Sequence, residues 1–273
     1  MSELRDQTHL AALALVRTGT PLNALLTRGD LRRLAREVRD WYLDSHARGV
    51  TRGGTCVVAT AGPPGAGKSR LLPTAIPDLA TRLVIDADIT KDYLAHWSAD
   101  HGLYPELLGT PLPDGEPLRP LELSPLLHTT STEAINLVRR DALAGHLDVV
   151  IEGTMASPAF GERLLLSLAK ADYSELLIVS AETNRATAQR RAVERWWEGR
   201  QDSPTLGGRL VLPETIDAAY AASDEASQCR ANARALVAAI RAGGTTIDSV
   251  TIAEYDDGQL ARIDADPPQA VAP

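Results

Sequence analysis

Short apolar runs rich in β-branched residues alternate along the chain with longer stretches whose apolar residues recur every three to four positions. The runs TCVVATA (55–61), TRLVIDAD (81–88), HLDVVIEGT (146–154), YSELLIVSA (173–181) and IDSVTIAEYDDGQL (247–260) predict five strands, the last reaching an Asp257-Gly258 turn signal. Between them, residues 69–76, 130–145, 161–171, 183–200 and 212–244 predict helices, the last as one long or two shorter ones. Pro73 is an awkward resident of the first, because proline removes a helical hydrogen bond. Thr130 or Ser131 is expected to cap the helix over 130–145, and Gly145 to end it. Ahead of the first strand, LAALALV (10–16) and DLRRLAREVRDWYL (30–43) predict helices separated by a break at Thr18-Gly19-Thr20-Pro21. Residues 104–125 are dense in Pro and Gly and predict a mobile or inserted segment.

Strands that alternate with helices need crossover connections and so a mostly parallel sheet. Near-continuous apolar strands such as CVVATA and DVVIEG imply that both sheet faces are covered by helices. The fold class is therefore α/β, with a five-stranded sheet and ligands beyond the carboxyl ends of its strands. The chain divides into an N-terminal helical segment (1–50), a main domain (51–263) and a flexible tail (264–273).

The net charge of −8 argues against a dedicated duplex-DNA binder, whose footprint would be basic. Two cysteines, Cys56 and Cys229, make no disulfide scaffold and have no metal-ligand spacing. No run of about 18 apolar residues predicts a membrane span. Glu3 and Asp6 near the start are unlike the basic opening of a signal peptide, so a cytoplasmic protein is expected.

Gly62-Pro63-Pro64-Gly65-Ala66-Gly67-Lys68-Ser69 fits the phosphate-loop pattern G-x-x-x-x-G-K-[ST], between an apolar strand and a helix as that loop requires. Glycines let successive N–H groups face phosphate oxygens, and the helix N-terminus adds partial positive charge. Lys68 is expected on the β and γ phosphates and the Ser69 hydroxyl on Mg²⁺, with Arg70 grouped among the nucleotide-binding residues. This predicts ATP, with GTP as the alternative nucleotide, on a P-loop kinase fold. Asp86 and Asp88 alternate at the predicted end of the second strand, where one of them would align an acceptor hydroxyl. Glu152, after DVVI, places a second carboxylate for Mg²⁺ or its water shell. Arg185, Arg190, Arg191, Arg195 and Arg200 crowd one predicted helix where many P-loop kinases carry a helical lid, and Arg209 follows Thr205-Leu206-Gly207-Gly208, a loop expected to move. Trp196 and Trp197 are expected to be packing anchors.

The chain resembles the zeta toxin family of P-loop kinases. AGPPGAGKS (61–69), VIDADITK (84–91), STEAI (131–135), VVIEGT (149–154), ERWW with Arg195, Arg209 ahead of Pro213, and the YDDG turn (255–258) carry the resemblance over about residues 50–262. It implies an ATP-dependent kinase that phosphorylates the 3′-hydroxyl of the sugar of UDP-N-acetylglucosamine and is restrained by an epsilon-type antitoxin. It also implies roles. Asp88 would be the general base, Lys68 the phosphate-loop lysine, and Arg195 and Arg209 the charge-neutralising pair. Glu133 would lie on the substrate side and Glu152 would be the acid of the EGT motif. Asp86, Lys91 and Thr154, inside the matched segments, join them as substrate-side residues, with Ser69 and Glu152 as the metal donors. The family commonly has a basic residue just after EGT, where this chain has Met155-Ala156-Ser157. Residues 1–50 are either leading helices or an antitoxin-like helix acting in cis. A polynucleotide-end kinase and a non-catalytic nucleotide-binding module are the competing readings.

Overall fold

The structure is a computed structural model that describes residues 2–265. In chain order its elements begin with α1 (Ser2–Thr18), α2 (Leu22–Leu25), α3 (Arg28–His46), β1 (Cys56–Ala61), α4 (Lys68–Ala75) and β2 (Leu83–Ile85). Then come α5 (Ala87–Asp100), α6 (Pro105–Leu108), α7 (Ser124–Ala144), β3 (Val149–Ile151), α8 (Pro158–Ala169) and β4 (Glu175–Glu182). The last are α9 (Arg185–Asp202), α10 (Pro213–Ala219), α11 (Gln228–Arg241), β5 (Ser249–Asp256) and β6 (Gln259–Ala265). They form two compact units. One takes in the chain up to Leu43, Ala87–Val138 and Gln189–Thr215; the other takes in Asp44–Asp86, Arg139–Ala188 and the chain from Ile216 onward.

The second unit holds one sheet of order β2-β3-β1-β4-β5-β6, parallel from β2 to β5. Val58 of β1 stands opposite Val150 on one side and Leu177 on the other. Val57, Val58, Ala59, Thr60 and Ala61 are all buried. Successive side chains point to opposite faces, so both faces of β1 are covered. α11 packs on β1, β4 and β5, and α4 on β4.

Among the described residues the sheet has six strands, where the sequence pattern predicts five. The run over 247–260 divides at Asp257-Gly258, both with positive φ (48° and 89°), which is the two-residue turn that folds a chain back as an antiparallel hairpin. β6 is thus paired through Asp264 and Ala265, two residues expected in the tail, and Arg241 bonds the Asp264 carboxylate at 3.0 Å. The remainder of the expected tail lies outside the described residues.

The first unit is helical. Ala12, Leu13 and Val16 of α1, Leu22 of α2, and Leu34 and Val38 of α3 share a core with Leu94, Leu127 and Trp196. The leading helices therefore bury their apolar faces in the same core as α5, α7 and α9. One local expectation changes here. α7 starts at Ser124, so Thr130 and Ser131 lie buried inside the helix and neither is its cap. Pro125 is tolerated in the first turn, where helical N–H groups lack partners in any case.

The Pro-rich segment is anchored. Leu112, Leu118, Leu121 and Leu123 belong to the helical core. Arg200 of α9, with no exposed side-chain surface, grips Asp114 through two bonds (2.7 and 2.9 Å) and Glu122 through two more (2.9 and 2.8 Å). It also donates to the carbonyls of Glu116 (3.0 Å) and Pro117 (3.2 Å), while the Trp196 indole donates to Glu122 at 2.9 Å. Proline and glycine density reports local loop geometry, and it is blind to a partner 80 residues away. Removing one member leaves a buried charge without its partner. Arg200→Ala should therefore lower unfolding stability by about 3–5 kcal/mol in chemical denaturation followed by tryptophan fluorescence. A loss within about 1 kcal/mol would mean that the segment holds itself in place by other contacts.

Candidate functional site

In the sheet-containing unit, β1 ends at Ala61 and α4 begins at Lys68, leaving Gly62–Gly67 as the phosphate loop. Gly62 has φ 144°, and a Cβ there would stand 2.4 Å from the Ala181 carbonyl oxygen; at Gly65 it would stand 2.2 Å from that of Ala188. Only glycine permits this approach. Pro63, Pro64 and Ala66 complete the turn, and Ala66 is buried. Gly67 caps α4 with no side-chain hydrogen bond, so the first N–H groups of that helix face outward with the positive end of its dipole.

The loop is tied to the chain beyond β3. The Gly62 N–H donates to the Thr154 carbonyl at 3.0 Å, and the Thr60 hydroxyl accepts from the Gly153 N–H (2.9 Å) and donates to its carbonyl (3.0 Å). The Ser69 hydroxyl donates to a Glu152 oxygen at 3.1 Å. These two hard oxygen donors fit Mg²⁺, which takes few protein ligands and completes its shell with water and phosphate oxygens. Among the described residues no group of three or more His, Cys, Asp or Glu could form a separate all-protein metal site. The Lys68 ammonium donates to the carbonyls of Gly62 (2.7 Å) and Pro63 (3.1 Å). Arg70 is exposed on α4.

In the helical unit, a different cluster gathers on α5. β2 ends at Ile85, so Asp86 lies at the junction and Asp88 in the first turn of α5 rather than on a strand end. The alternation that placed the two acids on one strand face does not apply. The Asp88 carboxylate accepts from Lys91 Nζ at 3.0 Å through Oδ1 and from Arg209 Nη1 at 3.1 Å through Oδ2. Arg209 Nη2 reaches Asp92 at 2.7 Å. Burial acts to raise the Asp88 pKa, but the charges of Lys91 and Arg209, joined by that of Arg195, outweigh it and hold the carboxyl far below its usual range. Arg195 itself is exposed on α9 and makes no ion pair among the described residues.

The loop that carries Arg209 is clamped, contrary to the mobility its glycines suggest. A Cβ on Gly208 would fall 1.8 Å from the Trp196 carbonyl oxygen, Leu121 N–H donates to the Leu206 carbonyl at 2.8 Å, and Gly207 N–H to that of Ser203 at 2.8 Å. The other arginines of α9 sort differently. Arg185 pairs with Asp217 and Asp224, Arg190 with Glu194, and Arg200 belongs to the buried network.

Glu133 is exposed on α7, and no hydrogen bond or ion pair joins it to Asp88 among the described residues. The Ser131 carbonyl of α7 accepts from the Thr90 hydroxyl at 3.4 Å, and His128 lies within electrostatic reach of Lys91 and Asp88. Desolvation and the Lys91 charge hold the His128 pKa below its ordinary value against the pull of Asp88. Glu133 lies about 140° round the helix from His128. Sequence reasoning missed His128 and Asp92; Asp92 could have been found from its place four residues after Asp88, one helical turn on.

The family model described as Zeta toxin matches residues 39–257. A chain from the PezAT chromosomal toxin-antitoxin system of Streptococcus pneumoniae is similar in structure, with 14% identity, a TM-score of 0.57, and 87% of this chain and 81% of that one covered. The AvrRxo1-ORF1:-ORF2 complex with ATP contains a chain with 12% identity and a TM-score of 0.54, covering 84% of this chain and 68% of that one. At these identities the structural likeness speaks for the fold. No curated protein matches the sequence.

The loop geometry sets a first test of nucleotide binding. Gly62→Ala should weaken ATP binding at least tenfold in isothermal titration, a change of about 1.4 kcal/mol, because the new Cβ displaces the loop from Ala181. An unchanged affinity would separate ATP binding from this loop.

Proposed function

The chain belongs to the zeta toxin family of ATP-dependent kinases, and we propose that it transfers the γ-phosphate of ATP to a sugar hydroxyl of UDP-N-acetylglucosamine or a related nucleotide. ATP is the proposed donor, with GTP as the alternative. The loop N–H groups of Gly62–Ser69 hold the β and γ phosphates, and Lys68 turns from its loop carbonyls to the same oxygens. Ser69 and Glu152 would hold Mg²⁺, which would supply positive charge to offset that of the phosphates. Arg195 and Arg209 offset the charge that develops on the transferred group. Asp88 accepts the hydrogen bond of the acceptor hydroxyl and orients it; Asp86, Lys91, Glu133 and Thr154 are proposed on the acceptor side.

The observation that carries this reading is the Asp88 carboxyl group held between Lys91 and Arg209. So acidic a carboxylic acid is a weak base, and it suits a reaction whose loose transition state asks for alignment of the nucleophile more than for early proton removal. We also propose a cytoplasmic location and an antitoxin partner. No single helix among the described residues is long and apolar enough to cross a membrane. The apolar face of α1 is occupied in the helical core, with His9 against Trp196 at 5.0 Å, which supports a structural role over an inhibitory one in cis.

The substrate assignment is checked by incubating the protein with γ-labelled ATP and UDP-N-acetylglucosamine, beside a metabolite extract, and locating the label by mass spectrometry. Label confined to other metabolites would replace the acceptor and leave the kinase reading intact. Asp88→Asn should lower kcat by about 10²–10⁴-fold while ATP Kd holds, since the acceptor hydroxyl loses the carboxylate that orients it and the phosphate loop keeps its own contacts. Because the folded-state pKa of Asp88 is lowered, the carboxylate stays charged well below the ordinary value near 4, so kcat should show no acid limb from this group between about pH 5 and 8. An Asp88-dependent limb in that window, lost in Asp88→Asn, would contradict the environment described.

A further inference from the structure

The Arg209 guanidinium divides its two arms between carboxylates one helical turn apart: Nη1 goes to Asp88 Oδ2 at 3.1 Å and Nη2 to Asp92 Oδ1 at 2.7 Å. The usual arrangement of an arginine with one carboxylate is a fork, with two parallel N–H bonds onto both oxygens. Here the fork is split, and its shorter bond is the one to Asp92. Lys91, between the two acids, bonds only to Asp88, at 3.0 Å. Asp92 is the more exposed of the two carboxylates, at 38% against 27% for Asp88, and nothing described other than Arg209 bonds to it.

We propose that Asp92 is a positioning residue of the transfer reaction, holding one arm of Arg209 away from Asp88 so that the guanidinium cannot close as a fork on the carboxylate that orients the acceptor. The inference rests on the roles proposed above for Asp88 and Arg209. Lys91 and Arg209 already place one donor on each Asp88 oxygen; a closed fork would add a second donor to Oδ1, and an incoming hydroxyl would then compete with one more charged bond for its acceptor. It would also pin the guanidinium at one acid. The split arrangement sends Nη1 of Arg209 to Asp88 and Nη2 to Asp92, so that a second carboxylate holds its plane. The loop behind it supports the same placement from the other side, because Gly208 sits against the Trp196 carbonyl with no room for a side chain. Asp92 touches no reacting atom in this account; it acts through Arg209.

The test is a double-mutant cycle on γ-phosphate release from labelled ATP, measured with UDP-N-acetylglucosamine and with water as acceptor. Asp92→Asn should lower kcat about tenfold with ATP Kd unchanged within twofold, and Asp92→Glu should recover part of the rate. In an Arg209→Ala background, Asp92→Asn should cause no further loss. An equal loss in both backgrounds, or no loss in either, overturns the proposal. If Arg209→Ala is slow but Asp92→Asn is not, the positioning role fails while the reading of Arg209 stands. If Arg209→Ala itself turns over normally, the reading of Arg209 fails first. Melting temperatures accompany each rate, and should Asp92→Asn not fold, Asp92→Ser carries the same cycle, since it too removes the charge that holds the Arg209 arm.

Discussion

A guanidinium removed from water loses its hydration, and at Arg200 that loss is complete because the side chain has no exposed surface. Two carboxylates and two main-chain carbonyls surround it in compensation. The consequence runs beyond the pair. Asp114 and Glu122 belong to the Pro-rich segment and Arg200 to α9, so one ion cluster fixes a stretch with little regular structure onto a helix. The same place seats the chain that follows α9. Gly207 lies where a Cβ would meet Arg119, and Gly208 lies against the Trp196 carbonyl. Arg209 comes directly after. A buried charge that makes no bond to the α5 cluster among the described residues thus seats the glycines directly ahead of Arg209.

The sheet-containing unit uses a different means to the same end. Its phosphate loop is fixed by main-chain bonds and close packing rather than by ions. Thr60 bonds both polar groups of Gly153, Gly62 bonds Thr154, and Gly62 and Gly65 press against the carbonyls of Ala181 and Ala188. These contacts set the loop and the Glu152-Gly153-Thr154 turn relative to each other, which is what brings Ser69 within 3.1 Å of Glu152. Backbone bonds suit this task, since the loop must present its own N–H groups with little freedom to reorganise.

What could be seen in the sequence follows from how far each interaction reaches along the chain. The phosphate loop is legible because its glycines answer steric demands within a few residues. The Asp257-Gly258 hairpin turn is legible for the same reason, although the strand that leaves it, with Leu260 and Ile263 exposed, is too polar and too open to read as a sheet member. The second strand ends sooner than its pattern implies, because Asp86-Ala87-Asp88 after Ile85 keeps the polar–apolar alternation of a strand while α5 takes over at Ala87. The two least legible features are long-range pairings. Nothing near Arg200 distinguishes it from Arg190 or Arg195, and only Asp114 and Glu122, distant in sequence, turn it from a surface cation into a buried one. Likewise the glycines ahead of Arg209 read as freedom and serve close packing instead.

The electrostatics of Asp88 connect that placement to the proposed chemistry. Burial alone would favour its neutral form, in which one oxygen carries a proton and cannot accept a bond. Lys91 and Arg209 reverse the balance through direct bonds, and Arg195 adds to it through space. In the proposed reaction two of these cations, Arg195 and Arg209, also face the charge of the transferred phosphoryl. One set of positive charges then serves two purposes: it keeps the acceptor-side carboxylate ionised and it offsets the charge of the reacting group. The arrangement also sets a constraint, because a cation bound too tightly to Asp88 would be lost to the phosphoryl group. A guanidinium shared between two carboxylates is a weaker hold on either one than a fork on a single acid, and this lets Arg209 steady Asp88 without being consumed by it.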